Sequence, residues 1–243
     1  MQFQRIAIDP SQFDPPSIAL TPEQQHYLSR VLRLKSGDRF VAIVPGEQWW
    51  LSSLERQSSG EFSAIALDPL DVRTELPIAI TLIAALPKGN GFDEVVRSCT
   101  ELGVNTIQPI SSDRTVLSPS PQKLERWRRI IREAAEQSER QTLPILNDPL
   151  PFTEAIARCH TLDRRYICLA RGERPSLLQC LQTAEKGSLE TIAIAVGPEG
   201  GWTPPEVERA IAAGFQPVSL GRRVLRAVTA PIVALSAIVA ICE

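Results

Sequence analysis

The sequence predicts an α/β protein in which an open parallel sheet, covered by helices on both faces, follows a small barrel or sheet of short strands. Two observations predict the larger part. Apolar runs alternate with amphipathic stretches after residue 77, and runs such as Ile192-Ala193-Ile194-Ala195-Val196 lack polar alternation, as suits a strand buried on both faces. A third observation predicts the smaller part: roughly the first 70 residues hold short strand-like runs separated by Ser, Gly, Pro and Asp.

In chain order, strands are expected at 5–8, 38–44, 49–55 and 61–67. A helix is expected at 22–34, with Leu28, Val31 and Leu32 at helical spacing and an exit through Lys35-Ser36-Gly37-Asp38. The polar, proline-marked stretch from Asp68-Pro69 to Leu76-Pro77 sets a boundary between a domain at 1–73 and one at 74–243. In the second domain, strands are expected at 78–86, 106–111, 165–170, 191–196 and 217–220. Helices are expected at 92–102, 122–141, 175–184 and 204–213, and in the terminal segment 227–242. That last helix is apolar all round, so it must be buried on every face, either as a central core helix or as one that also forms a subunit interface. It carries Pro231 near its start and falls short of the roughly 20 residues that a membrane span needs.

Hydrophobic residues make up 43% of 243, enough for a sizeable core. A formal net charge of -2 argues against nonspecific coating of nucleic acid but leaves room for a local basic patch. The five cysteines are odd in number and lack Cys-x-x-Cys spacing, so they read as small core hydrophobes; with only His26 and His160 available, no metal site is expected. The start, Met1-Gln2-Phe3-Gln4-Arg5, has no apolar signal core, and a cytoplasmic location is expected.

Ligands of open α/β sheets sit beyond the carboxyl ends of strands. Gly197-Pro198-Glu199-Gly200-Gly201-Trp202 directly follows the most apolar strand, and Thr203-Pro204-Pro205-Glu206 then opens a helix as a capping box. An ordinary turn would need one glycine; three expose backbone amides without side-chain bulk, which marks a ligand-binding turn. The spacing is neither Gly-x-Gly-x-x-Gly nor a Walker loop. The second loop is Ser219-Leu220-Gly221-Arg222-Arg223-Val224-Leu225-Arg226, whose arginines need charged or solvated partners, phosphate being an apt one. A solvated loop accounts equally well for Arg222 and Arg223, whereas Arg226, between Leu225 and Ala227, is harder to leave to solvent. The third, Leu169-Ala170-Arg171-Gly172-Glu173, is weak on its own. His26, Arg30 and Arg33 lie off the apolar stripe of the first helix, and Lys123, Arg126, Arg128, Arg129 and Arg132 crowd a later one; each set is an RNA contact or a solvated face. Lys88-Gly89-Asn90-Gly91, after another strand, seats a phosphate or simply turns the chain.

The segments His26 to Asp38, Leu86-Pro87-Lys88-Gly89, Thr100 to Val104, Glu133 to Ser138, Val196 to Gly201 and Leu220 to Ala230 occur together, in this order, over nearly the whole chain. This combination resembles the 16S ribosomal RNA uridine N3-methyltransferases (RsmE type) of the SPOUT class. The resemblance implies a PUA-like β-barrel for RNA, then an α/β domain tied in a trefoil knot, which no periodicity could have revealed. It implies S-adenosylmethionine held by three loops: one from Leu169 and Ala170 to Glu173, one of Val196, Gly197, Pro198, Glu199, Gly200 and Gly201, and one from Ser219, Leu220 and Gly221 through Val224 and Leu225 to Ala227. It implies 16S rRNA of the small ribosomal subunit as partner, the family's target being uridine 1498, and a homodimer through the C-terminal helix.

The chain departs from the family's usual Leu-Arg-Thr-Glu-Thr-Ala at Leu225 to Ala230, where Ala227-Val228 replaces Thr-Glu, and at Phe92, Arg97 and Ser98, where Met, Gln and Lys are common. No role of that glutamate carries over. The implied reaction is an in-line methyl transfer to a uridine N3 that must first lose its proton. Arg226 is the candidate for stabilising the anion or orienting the base; Glu199 either takes part or only orders its loop. The alternatives are a SPOUT enzyme acting on another base or a ribose 2′-hydroxyl, in rRNA or tRNA, and an RNA-binding protein without catalysis.

Overall fold

The structure is a computed structural model that describes residues 3–44, 49–115, 119–183 and 190–242. The chain divides into two compact units: Met1–Glu75 with Ala135–Leu143, and Leu76–Ala134 with Pro144–Glu243.

The first unit is a six-stranded sheet built from β1 (Arg5–Ala7), β2 (Phe13–Asp14), β3 (Ser17–Ile18), β4 (Arg39–Ile43), β5 (Trp49–Arg56) and β6 (Phe62–Leu70), in the order β1-β4-β5-β6-β3-β2. Only the β1–β4 pair is parallel. The hairpin β2–β3, two residues a side, is too short to leave a pattern in the sequence. The expected helix at 22–34 is shorter. Thr21 and Gln24 form a capping box over α1 (Pro22–His26), and the chain then widens into a π-helical turn at Tyr27–Val31, where Leu32 N–H reaches Tyr27 C=O. The wider turn breaks the expected stripe: Leu28 is fully buried, but Val31 is 57% exposed. Arg33, at φ 58, closes the segment.

Residues 135–143 correct a second expectation, that one helix spans 122–141 within the later domain. Helix α3 (Pro121–Gln137) ends earlier, and its tail joins the first unit. Glu136 accepts the Ala7 N–H (2.7 Å), Arg5 pairs with Glu139 (2.7 Å) and Arg140 with Glu75 (2.5 Å). Burial pushes the Glu75 carboxyl up, but the hydrogen bond and charge of Arg140, with bonds from Thr142, outweigh it and hold the group below the ordinary carboxylate value.

The second unit is a parallel sheet in the order β10-β8-β7-β12-β11-β13, with β9 beside β8. Its strands are β7 (Ala79–Ala85), β8 (Thr106–Ser111), β9 (Ile145–Leu146), β10 (Leu150–Pro151), β11 (Arg164–Cys168), β12 (Thr191–Val196) and β13 (Gln216–Val218). The helices are α2 (Gly91–Glu101), α3, α4 (Phe152–Ala157), α5 (Leu177–Gln182), α6 (Pro204–Ala212) and α7 (Thr229–Cys242). The expected helix at 175–184 begins at Leu177, and its last residue lies outside the described residues. Strands β9 and β10, of two residues each, and helix α4, of six, lie between the expected elements at 122–141 and 165–170, where no element was expected. Yet Phe152, Ala155 and Ile156 of α4 are buried against Ile83, Ala193 and Phe215.

Within one chain, helix α7 is not the central core helix that burial on every face would make it. Pro231, Ala234, Leu235 and Ile238 are buried, but Ser236, Ala240 and Ile241 are exposed and Ile232, Val233 and Val239 are only half-buried within one chain. No helix among the described residues is long and apolar enough to cross a membrane.

Candidate functional site

Because β12, β11 and β13 run parallel, their carboxyl ends open on the same edge of the sheet, and the three loops that follow them converge there. They are stitched together: Leu169 N–H reaches Val218 C=O (2.9 Å), Ser219 N–H reaches Pro175 C=O (3.0 Å), and Leu177 N–H returns to Ser219 C=O (2.9 Å). Between the loops lies a cavity of about 730 Å³, within the range of small-molecule sites (roughly 300–1,000 Å³). Leu169 and Ala170 line it from the first loop. Val196, Gly197, Pro198, Glu199, Gly200 and Gly201 line it from the second, and Leu220, Gly221, Val224, Leu225 and Ala227 from the third.

Two expected residues lie off this wall. Ser219 turns its Oγ onto Gly221, accepting from the N–H (3.1 Å) and donating to the C=O (3.0 Å). Arg226 is exposed while Leu225 and Ala227 on either side line the cavity; its C=O caps the start of α7 by accepting from Thr229 and Ala230 N–H.

The glycine-rich loop is braced from several sides. Trp202 lies beneath it, its Nε1 donating to Cys168 C=O (3.1 Å) and its ring packed on Phe152 (centroids 4.3 Å apart). A Cβ on Gly197 would sit 2.9 Å from the Trp202 ring, so this glycine is required by the indole as well as by any ligand. Glu199 accepts the Lys88 N–H (3.0 Å), which ties the loop to the turn after β7. Arg114 donates to Gly200 C=O (2.5 Å). Its own turn is strapped down by the buried Glu206, which accepts from Asp113 N–H (2.9 Å) and Thr203 N–H (2.7 Å). Arg114, Trp202 and Arg174 all line the cavity without having been expected to: Arg114 is brought in by packing, Trp202 was read only as the end of the glycine-rich loop, and Arg174 stands one residue beyond the loop that ends at Glu173. Cys168 also lines it, but burial pushes its thiol up to about 12, so it is protonated at neutral pH and is no nucleophile.

The other basic residues separate into two kinds. Arg126 pairs with Asp93 (2.8 Å) and Arg129 lies 3.9 Å from Glu133, both arginines remaining exposed. Arg222 and Arg223 are exposed, and Arg223 reaches the cavity wall. Lys88 is exposed beside Glu199. In the first unit His26, Tyr27, Arg30 and Arg33 are all exposed on α1 and the turn after it. Val228, where the family has glutamate, sits against α2: a Cβ on Gly91 would lie 2.7 Å from its Cγ2.

A sheet with its cavity at the strand ends, braced glycines and an apolar wall defines a class. A family model described as "RNA methyltransferase domain" matches residues 74–239. The chain is 47% identical over 242 residues to the ribosomal RNA small subunit methyltransferase E of Synechocystis sp., covering 98% of this chain and 78% of that protein. It is 31% identical over 233 residues to the protein of the same name from Bacillus subtilis, covering 93% and 90%. A crystal structure of ribosomal RNA small subunit methyltransferase E from Neisseria gonorrhoeae bound to S-adenosyl methionine superposes with a TM-score of 0.85 at 29% identity, over 98% of this chain and 97% of that one. The chain belongs to the ribosomal RNA small subunit methyltransferase E family.

Proposed function

We propose that the protein is an S-adenosylmethionine-dependent enzyme that methylates N3 of one uridine in the 16S rRNA of the small ribosomal subunit. The observation that carries this reading is the cavity at the ends of β11, β12 and β13, where glycine backbone, aliphatic wall and arginine rim meet. The fit to the cofactor is chemical. Val196, Leu220, Val224, Leu225 and Ala227 offer apolar surface to an adenosine and a thioether chain, and the glycines leave backbone amides within reach. When bound, the cofactor supplies a methyl group on a positively charged sulfonium.

The chain's own residues then have to position the base and favour its deprotonated imide. Glu199, held by the Lys88 N–H, orders the loop. Arg223 at the cavity and Arg222 beside it suit the phosphates of the incoming strand. Arg226 is assigned to the reacting base, with cationic stabilisation of the imide anion as its role, since an arginine is always charged and does not serve as a base.

The reading extends to the rest of the molecule. The first unit serves as a PUA-like RNA-binding domain, its contacts made by His26, Arg30 and Arg33, and the second as the SPOUT domain with a trefoil knot formed by the segment leading into α7. The half-buried apolar face of α7 supports a homodimer across that helix, because within one chain Val233 and Val239 are only half covered and Ile241 is exposed. A cytoplasmic setting accords with an rRNA substrate.

Purified unmodified small subunits, incubated with the protein and methyl-labelled cofactor and then digested to nucleosides, test the reading. N3-methyluridine is the expected product. A different labelled nucleoside would replace the base assignment, and no label in RNA would overturn the function.

A further inference from the structure

Arg174 is unlike the other arginines that line the cavity. Its Nε and Nη1 are shielded from solvent and have no hydrogen-bond partner among the described residues. A guanidinium offers donors only, and leaving such groups desolvated and unpaired is costly. The position is not an accident of a loose side chain. Its loop is held before it by Leu169 N–H on Val218 C=O and after it by the stitching of Pro175 C=O and Leu177 N–H to Ser219. The guanidinium folds over Gly172, where a Cβ would lie 2.3 Å from Nη2, and Gly172 has the left-handed φ of 93° that a side chain rarely adopts. Of the described side chains with buried, unpartnered polar atoms, Arg174 is the one on the cavity wall.

We infer that Arg174 is a cofactor-recognition residue, its guanidinium taking the carboxylate of the methionyl end of S-adenosylmethionine; this rests on the cofactor reading above. The cofactor bears a single anionic group, and a planar fork matches a carboxylate. The same charge repels the sulfonium and the ammonium, so it fixes which end of the cofactor enters the first loop. A backbone phosphate of RNA is a poorer match, because it arrives on a strand that stays in solvent. Arg171 and Arg223, exposed on the same cavity, suit that role instead.

Calorimetry with wild type, Arg174→Met, Arg174→Lys and Gly172→Ala separates the possibilities. The ligands are S-adenosylmethionine, S-adenosylhomocysteine and the decarboxylated cofactor, which lacks the anion. Arg174→Met is expected to weaken the first two by roughly 10- to 100-fold, the worth of a charge-assisted hydrogen bond, and to leave the decarboxylated ligand within about twofold. Arg174→Lys should fall between, and Gly172→Ala, which displaces the guanidinium, should follow Arg174→Met. The melting temperature of ligand-free Arg174→Met should not drop, since two shielded donors without partners have been removed. Equal losses for all three ligands would show a structural role and overturn the inference. Unchanged cofactor affinity with weakened RNA binding would overturn it in favour of a phosphate contact. If the wild type binds no S-adenosylmethionine at all, the cofactor reading itself fails.

Discussion

Two loops at the same sheet edge, 197–202 after β12 and 219–228 after β13, are built in opposite ways. In the first, bonds tie the loop to residues outside it: Arg114 donates to Gly200, the Lys88 N–H donates to Glu199, and the Trp202 indole donates out to Cys168. In the second, the ties to the outside stop at Ser219, which is stitched to Pro175 and Leu177; beyond it the hydrogen bonds are local, Ser219 to Gly221 and the Arg226 carbonyl to the first turn of α7, while the three arginines are exposed and Val224 is 66% exposed. A braced backbone is organised before its ligand arrives and spends little on ordering when it binds. An arginine-bearing loop with few ties suits a large, charged partner whose exact path is set on docking. We propose a division of labour on that basis: the first loop is the preorganised part of the cofactor site, and the second adds Leu220, Val224, Leu225 and Ala227 to the cofactor wall while its arginines suit RNA.

Gly197→Val presses hardest on this division. Its side chain has no room beside Trp202, so cofactor binding should fall by more than about 100-fold in calorimetry. Normal binding would break the claim that the first loop is rigid. Arg226→Ala comes next: turnover should drop by on the order of 10- to 100-fold while cofactor affinity holds, because the side chain lies off the cavity wall. A parallel loss of affinity would return Arg226 to the cofactor site. Arg114→Ala removes one brace from an exposed position and should weaken the cofactor by roughly fivefold, with RNA affinity nearly unchanged. The smallest change is expected for Arg222→Ala and Arg223→Ala. Each should weaken RNA binding a few-fold and reduce the salt slope by about one, leaving cofactor affinity alone. A cofactor effect from Arg222→Ala as large as that from Arg114→Ala would erase the contrast between the loops.

What was legible in the sequence is what is written locally. The five apolar residues ending at Val196 mark β12, the Thr203–Glu206 box marks the start of α6, and the glycines between them mark the site. The wider turn at Tyr27–Val31 was not legible, because a π-helical step needs only one extra residue per turn and leaves the apolar spacing looking α-helical. Nor were Arg114 and Trp202, whose roles depend on partners 86 and 34 residues away. Helix α7 falls between these cases. Its composition shows that every face is apolar, but not which surface covers each one.

The return of residues 135–143 to the first unit bears on the order of events during synthesis. The acceptor for the Ala7 N–H, the acid that pairs with Arg5 and the arginine that pairs with Glu75 all emerge from the ribosome after β8 has been made. At roughly 5–20 residues per second, the N-terminal sheet waits several seconds for its last segment. A fragment ending near residue 73 would contain all six strands but none of the three ties, which are complete only when the chain has already entered its second half.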